Sequence, residues 1–189
     1  MGRLEFRVFG AQLAEQRAAL GKAFDVVERE TREDLYFLGG RTSRAYKLRD
    51  GQALDLKQLV EVICGYQRWD ALGFCELPAS GAQIAACLDD PDNLPLPRST
   101  GSLDALKVST AFSRSGYIVI KVRKSRTRFD VGPCSAEMAR IRLVGRPDTW
   151  TVSIEGKNAA SLNQLKKALC LCELANQSYP EWLATLYPL

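Results

Sequence analysis

Basic residues recur at every second position in several short stretches of this sequence that have the composition of β-strands. Side chains two apart in a strand lie on the same face, so each stretch places cations side by side. For a single strand, the usual fate of such cations is a face turned to water. The cations are Lys47 and Arg49, Lys121 and Arg123, Arg126 and Arg128, with Lys57 on a further strand and Arg7 on the first.

The recurrence of cations on several strands favours a second interpretation, in which the basic face binds an anion. A face that carries mainly cations repels itself unless a polyanion neutralises it. A closed barrel can turn its polar face inward and enclose a ligand there. The pattern therefore predicts a phosphate-rich anion bound inside a barrel whose inner face is basic.

Isolated glutamates on the predicted strands offer a second kind of chemistry. They are Glu5, Glu137 and Glu155. Carboxylates among many cations can form internal ion pairs. They can equally hold Mg²⁺ or Mn²⁺, which prefer oxygen ligands and commonly bridge to substrate phosphates. The sequence leaves both alternatives open.

The composition excludes several classes of site. The chain has no histidine, so a Ser-His or Cys-His catalytic pair and a histidine-ligated metal are ruled out. Its six cysteines form no C-x-x-C pair, which is typical of reduced thiols in a cytoplasmic protein. The first residues lack the apolar run of a signal peptide, and no stretch is long and apolar enough to cross a membrane. The net charge of +4 is compatible with an anionic partner.

The elements that must position these residues are mostly strands at hairpin spacing. Asp50-Gly51 lies between two alternating stretches and predicts a tight hairpin. Ser115-Gly116 predicts a second hairpin, with Phe112–Arg114 and Tyr117–Val122 as its arms. The further predicted strands are Leu4–Phe9, one or two within 25–38, Arg126–Val131, Ala136–Val144 and Trp150–Gly156.

Helices are predicted mainly near the ends of the chain, over Ala11–Phe24 and Ala159–Asn176, with a short one at Ser80–Leu88. A proline-rich stretch from about 65 to 106 is predicted to be an irregular insertion. The whole pattern indicates an α+β fold, an antiparallel β-barrel with flanking helices, in one domain over residues 1–189.

The order of these motifs resembles the CYTH, or triphosphate tunnel metalloenzyme, superfamily. That family begins with a Glu-x-Glu-x-Lys strand, continues through strands with paired basic residues, and carries glutamates on its last strands. The corresponding stretches here are Glu5–Arg7, Lys47–Gly51, Leu54–Lys57, Lys121–Arg123, Ala136–Met138 and Val152–Gly156, followed by the helix from Ala159.

The resemblance implies a barrel that forms a tunnel, and a triphosphate phosphohydrolase of the CYTH type that uses Mg²⁺ or Mn²⁺. It implies that phosphate is held by Arg7, Lys47, Arg49, Lys57, Lys121 and Arg123. It implies that the metal is held by Glu5, Glu137 and Glu155.

The first strand departs from the family pattern. Arg7 stands where the second glutamate belongs, and Phe9 stands where the lysine belongs. A cation in place of a metal ligand weakens the metal site. Binding of an organic phosphate without turnover, as a sensor or carrier, is therefore an alternative to a metal-dependent triphosphatase.

A barrel that binds nucleic acid is a third, less favoured interpretation. It requires exposed aromatic rings on which bases can stack beside a basic surface. Tyr66, Trp69, Phe112 and Tyr117 are the candidates, although such residues more often belong to a core. A membrane partner is not expected.

Overall fold

The computed structural model describes residues 2–90, 93–98 and 101–188. The strands are β1 (Arg3–Gly10), β2 (Val26–Leu38), β3 (Arg44–Arg49), β4 (Ala53–Ile63), β5 (Tyr66–Glu76), β6 (Ala79–Ser80), β7 (Ser102–Leu103), β8 (Ile118–Val131), β9 (Cys134–Leu143) and β10 (Thr149–Gly156). The helices are α1 (Ala14–Ala23), α2 (Gly81–Leu88), α3 (Ala105–Arg114), α4 (Ala159–Ala168) and α5 (Tyr179–Leu186).

Eight of the strands close into a barrel in the order β1-β10-β9-β8-β2-β3-β4-β5, and β6 pairs with β7 in a separate small sheet. β1 closes the barrel, because it pairs antiparallel with β10 on one side and with β5 on the other. The predicted α+β class and antiparallel barrel are confirmed.

The chain divides into two compact units. The first comprises the residues up to Arg32, Leu59–Trp69 and Arg123–Ser178. The second comprises Glu33–Gln58, Asp70–Val122 and the residues from Tyr179 onward. The strands β2, β4, β5 and β8 each contribute residues to both units.

In the first unit, helices cover one face of β1 and leave the other face to the barrel interior. Leu4, Phe6 and Val8 belong to an apolar cluster that includes Leu162 and Leu165 of α4. Since strand side chains alternate, the residues between them point the opposite way. The charged pair of β1, Glu5 and Arg7, therefore lies on its inner face.

The second unit is built in the same way. Tyr46, Leu48 and Leu56 of β3 and β4 belong to a cluster that includes Ile84 of α2 and Phe112 of α3. Burying these apolar side chains under helices fixes which face of each strand is outer. The alternate residues are Lys47, Arg49, Asp55 and Lys57, which lie on the inner face.

The Asp50-Gly51 hairpin is confirmed. Both residues have positive φ, 47° for Asp50 and 67° for Gly51, and the Gln52 amide donates a hydrogen bond to the Arg49 carbonyl across them at 2.8 Å. The turn sets the register of β3 and β4, in which Arg49 is opposite Ala53 and Lys47 is opposite Asp55. This register places the basic residues of one arm beside the carboxylate of the other.

The second predicted hairpin is wrong. Residues 105–114 form α3, and Ser115-Gly116 follows its C-terminus. Gly116 has a φ of 86°, the left-handed conformation that commonly follows a helix. The Asp104 side chain caps the other end by accepting a hydrogen bond from the Lys107 amide at 2.8 Å. Val108 and Phe112 are four residues apart and bury one face of the helix.

Removing the Asp104 cap should destabilise the protein. We expect Asp104→Ala to lower the free energy of unfolding by about 1 kcal/mol, since the Lys107 amide loses its acceptor. Urea denaturation measures the change. Asp104→Ser keeps an acceptor oxygen and should lose less than half as much. Equal losses in the two variants would contradict the capping role.

The stretch expected to be an irregular insertion contains a full strand of the barrel, since β5 occupies Tyr66–Glu76. The irregular part begins only at Leu77, and residues 91, 92, 99 and 100 lie outside the described residues. The short helix predicted within it is present as α2, capped by Ser80. The helix predicted over Ala159–Asn176 ends at Ala168, close to Cys170, whose φ is 53°.

Candidate anion site

The inner face of the second unit gathers three of the predicted phosphate ligands near Asp55, with Asp34 opposite Arg49 in the β2–β3 register. Lys47 Nζ lies 3.0 Å from Asp55 Oδ2. The Arg49 guanidinium donates to the same oxygen from Nη2 at 2.5 Å and from Nε at 3.1 Å. Lys57 lies on the same face two residues along β4 and forms no ion pair among the described residues. Ala45 and Ala53 are opposite Lys57 and Arg49, so only small side chains face these two cations across the β3–β4 ladder.

The three cations of this cluster outnumber its two carboxylates, Asp55 and Asp34. Burial, together with the nearby charges of Arg49 and Lys57, lowers the pKa of Lys47 to about 8 against the opposing effects of Asp55 and Asp34. The pKa of Asp55 is lowered, because Lys47 and Arg49 outweigh the effect of burial on its carboxyl group. A further anion beside Lys47 would relieve this repulsion.

An aromatic wall stands beside Lys47. Tyr36 is opposite Lys47 in the β2–β3 register. Its ring stacks on Tyr179 of α5, with centroids 5.1 Å apart, and Tyr179 in turn makes an edge contact with Trp182. This wall bounds the cluster with rigid apolar surface, which lowers the local dielectric and strengthens its electrostatic interactions.

The inner face of the first unit is arranged differently. The Arg7 guanidinium lies between two of the predicted metal ligands, with Nε 2.7 Å from Glu5 Oε1 and Nη1 3.5 Å from Glu137 Oε1. Arg126 donates to Glu137 from Nε at 2.9 Å and also pairs with Glu30. Although burial alone would raise the pKa of Glu137, Arg7 and Arg126 lower it to about 2. Each carboxylate here is already compensated by guanidinium groups.

These residues do not fit a resident divalent cation. Glu155 is opposite Glu5 in the β1–β10 register, and its carboxylate lies 3.9 Å from Arg3 Nη1. All three predicted metal ligands therefore have an arginine within ion-pair distance. Mg²⁺ would have to displace these guanidinium groups from the oxygens it needs.

Lys121 and Arg123 lie on the outer face of β8 and are exposed, contrary to the expectation that they point inward. Lys121 pairs with the exposed Glu33 at 2.8 Å. The inner face of β8 carries Ile120 and Val122 instead, because this half of the strand contributes apolar side chains to the barrel interior. The structure does not place Lys121 in the cluster around Asp55.

Sequence reasoning missed several inner charges, of which Lys124 and Asp34 are the most deeply buried, with 2% and 0% of their surface exposed. Asp34 is opposite Arg49 in the β2–β3 register. The signal was available in β2, where Glu28, Glu30, Arg32 and Asp34 alternate with residues of the outer face. Because these residues have mixed signs, their pattern is also that of a strand whose charged face is turned to water, and it does not indicate that they point inward.

Comparison with solved structures shows the fold and no more. A conserved hypothetical protein from Pyrococcus furiosus aligns with a TM-score of 0.56 and 15% identity, over 95% of this chain and 98% of that chain. A candidate adenylate cyclase from Bacillus halodurans aligns over 100% of both chains with a TM-score of 0.54 and 12% identity. A chain of the Schizosaccharomyces pombe Mediator head module aligns with a TM-score of 0.51 and 11% identity, over 94% of this chain and 99% of that chain.

The barrel is therefore a fold shared with proteins of different kinds. No protein-family model matches the sequence. No curated protein matches it either. Among the described residues, no helix is long and apolar enough to span a membrane.

Proposed function

We propose that the inner face of the second unit binds a phosphate-rich anion, with Lys47, Arg49 and Lys57 as its ligands. The observation that carries the proposal is the excess of three cations over the two carboxylates Asp55 and Asp34 on this face. Arg49 can offer a fork of N–H donors that suits two phosphate oxygens, whereas the lysines act as point charges. A chain of linked phosphates matches this arrangement better than a single small anion, since it can contact several cations at once.

Binding without turnover is the first form of this proposal, in a sensor or a carrier of the cytoplasm. The ion pairs of Arg7 with Glu5 and Glu137 support it, because they use the carboxylates that a metal-dependent enzyme would need. A triphosphatase that recruits Mg²⁺ together with its substrate is the second form. The adjacent positions of Glu5 and Glu155 favour that form, as does the name of the Bacillus halodurans neighbour, a candidate adenylate cyclase.

Calorimetric titration with tripolyphosphate, ATP, pyrophosphate and sulfate, each with and without Mg²⁺, tests the proposal. We expect tripolyphosphate and ATP to bind most tightly and to stabilise the protein against heat. Arg49→Gln should weaken binding of tripolyphosphate about 10-fold or more. Arg123→Gln removes an equal charge from the outer face and should leave binding unchanged. Equal losses in both variants, or no binding at all, would overturn the proposal.

Turnover separates the two forms. Phosphate release from tripolyphosphate in the presence of Mg²⁺, abolished in Glu5→Gln and Glu155→Gln, would establish the enzyme. Binding without release would establish the sensor or carrier.

The structure does not favour the nucleic-acid alternative, because the rings of Tyr66, Trp69 and Phe112 are buried in the core. A single-stranded oligonucleotide that outcompetes tripolyphosphate would reverse that conclusion.

A further inference from the structure

A cavity lies on the outer side of the sheet in the second unit, away from the cluster around Asp55. Its volume is about 300 Å³. The loop Gly39-Gly40-Arg41 that joins β2 to β3 forms one side of it, and Arg44, Asn93 and Tyr117 contribute to the others. Because Gly39 and Gly40 have no side chains, backbone atoms form this part of the cavity wall.

A buried carboxylate fixes the polar part of this cavity. Asp90 is 4% exposed and accepts hydrogen bonds from Arg44 Nη1 at 2.6 Å and from Asn93 Nδ2 at 2.7 Å, and it also accepts from the Tyr46 hydroxyl. Asp90 therefore neutralises Arg44 and holds three lining residues in one arrangement. Buried networks of this kind keep polar groups preorganised.

The remaining polar groups are available to a ligand. Arg41 is exposed and forms no hydrogen bond or ion pair among the described residues. The hydroxyl of Tyr117 has no hydrogen-bond partner there either, and burial raises its pKa, so it stays a donor at neutral pH. With Asp90 cancelling Arg44, the cavity carries one uncompensated positive charge, that of Arg41.

The other walls are flat and aromatic. Phe37 stacks on Phe112 with ring centroids 4.2 Å apart, and Tyr117 makes an edge contact with Phe112 at 5.0 Å. The Tyr117 ring also lies against Gly39, where an added Cβ would come within 2.7 Å of it. The rings are therefore held in place by the core on one side and by a glycine on the other.

We propose that this cavity binds a small organic monoanion with a planar aromatic body, such as an aromatic carboxylate. The carboxylate lies against Arg41 and accepts from Tyr117, while the aromatic ring packs between Phe37 and Tyr117. The size of the cavity limits the ligand to one or two fused rings. This site is independent of the proposed phosphate site, with which it shares no residue.

Titration of the full chain by NMR or calorimetry tests the site, with indole-3-carboxylate and 4-hydroxybenzoate as probes and benzamide and acetate as comparisons. We expect the two aromatic carboxylates to bind at least 10-fold more tightly than either comparison, because only they supply both the charge and the ring. Tripolyphosphate should not compete with them, so a negative result at one site does not affect the proposal for the other.

Three variants assign the contacts. Arg41→Gln should weaken binding of indole-3-carboxylate about 10-fold. Gly39→Ala should weaken it similarly by displacing the Tyr117 ring. Arg114→Gln, which removes an exposed charge from α3, should have no effect. Equal affinity for benzamide, or equal losses in the Arg41 and Arg114 variants, would overturn the proposal. So would the absence of binding at a probe concentration of about 10 mM, since a weaker affinity would not indicate a specific site.

Discussion

Glu137→Leu should lower the free energy of unfolding by about 3–5 kcal/mol, the cost of removing one member of a buried ion-pair network. Arg7 and Arg126 both depend on this carboxylate, and their side chains are only 8% and 15% exposed. Glu5 and Glu30 remain as partners, yet neither can replace an acceptor that lies between two guanidinium groups. Denaturation by urea at pH 7 measures the loss.

Acid should act on the same pair of contacts. The pKa of Glu137 is about 2 in the folded protein, well below that of an ordinary glutamate, because Arg7 and Arg126 stabilise its charged form against the cost of burial. The unfolded chain therefore takes up a proton at higher pH than the folded chain does. The stabilisation is complete above the ordinary glutamate range and is lost as the pH falls toward 2. In Glu137→Leu, stability should vary less over this interval.

Glu28→Leu is the matched control. Glu28 also pairs with an arginine, Arg128, at 2.6 Å, but both side chains are more than 40% exposed. Exposed pairs contribute about 0–1 kcal/mol, so this variant should be close to the parent protein. A loss as large as that of Glu137→Leu would show that burial of the pair does not determine its energy. An unchanged acid transition in Glu137→Leu would contradict the assignment of the pKa.

Tripolyphosphate affinity should fall as the pH rises from 7 to 9, because Lys47 loses its positive charge near pH 8. A bound polyanion favours the ammonium form, so binding near this pH should take up protons from the buffer. Titrations in buffers of different ionisation enthalpy detect this uptake. In Lys47→Met the affinity at pH 7 should be about 10- to 100-fold lower, the range for a hydrogen bond to a charged group. The remaining dependence on pH should be shallow.

Lys121→Met is the control for this second prediction. It removes the same charge from the outer face of β8, where Lys121 pairs with Glu33. We expect no change in affinity and no change in the pH dependence. If Lys121→Met weakened binding as much as Lys47→Met, the anion would be held by the outer surface. If Lys47→Met kept the steep dependence on pH, another group would be responsible for it.

The fold was predictable where local chemistry and packing agree. Asp50-Gly51 needs positive φ and tolerates it, and its flanking strands alternate cleanly, so the hairpin and the inward direction of Lys47 and Arg49 follow from few residues. The same agreement holds for β1 and β10, whose apolar residues lie against helices. In β1 and β10 the outer face is apolar along its whole length.

β8 could not be assigned in this way. Ile120 and Val122 are apolar but lie on the inner face, and Lys124 continues that face two residues later. The inner face of β8 changes from apolar to charged part-way along the strand. The alternation therefore predicts which residues share a face, but not which of the two faces points into the barrel. The direction is shown by tertiary contacts, because Lys121 pairs with Glu33 on the outer face and Arg126 pairs with Glu137 on the inner face.

Two elements were misjudged for a different reason. β5 carries Arg68, Asp70 and Gly73, which interrupt the apolar alternation expected of a strand. α3 is rich in Val, Ser, Thr and Phe, whose intrinsic preferences do not favour a helix. The capping residue Asp104 and the buried stripe of Val108 and Phe112 outweigh those preferences. Propensity is a weak guide where packing decides.

The closure of the barrel by β1 has a consequence for how the protein is made. β1 is synthesised before the other strands of the barrel, whereas its partner β10, which pairs Gly156 with Leu4, is the last of them to be synthesised. Pairing of segments so far apart in sequence favours slow folding and a long-lived open edge. Before β10 has been synthesised, the charges of Arg3, Glu5 and Arg7 disfavour pairing of the free edge of β1 with another chain. The residues that neutralise one another in the finished barrel can thus also protect the nascent chain from aggregation.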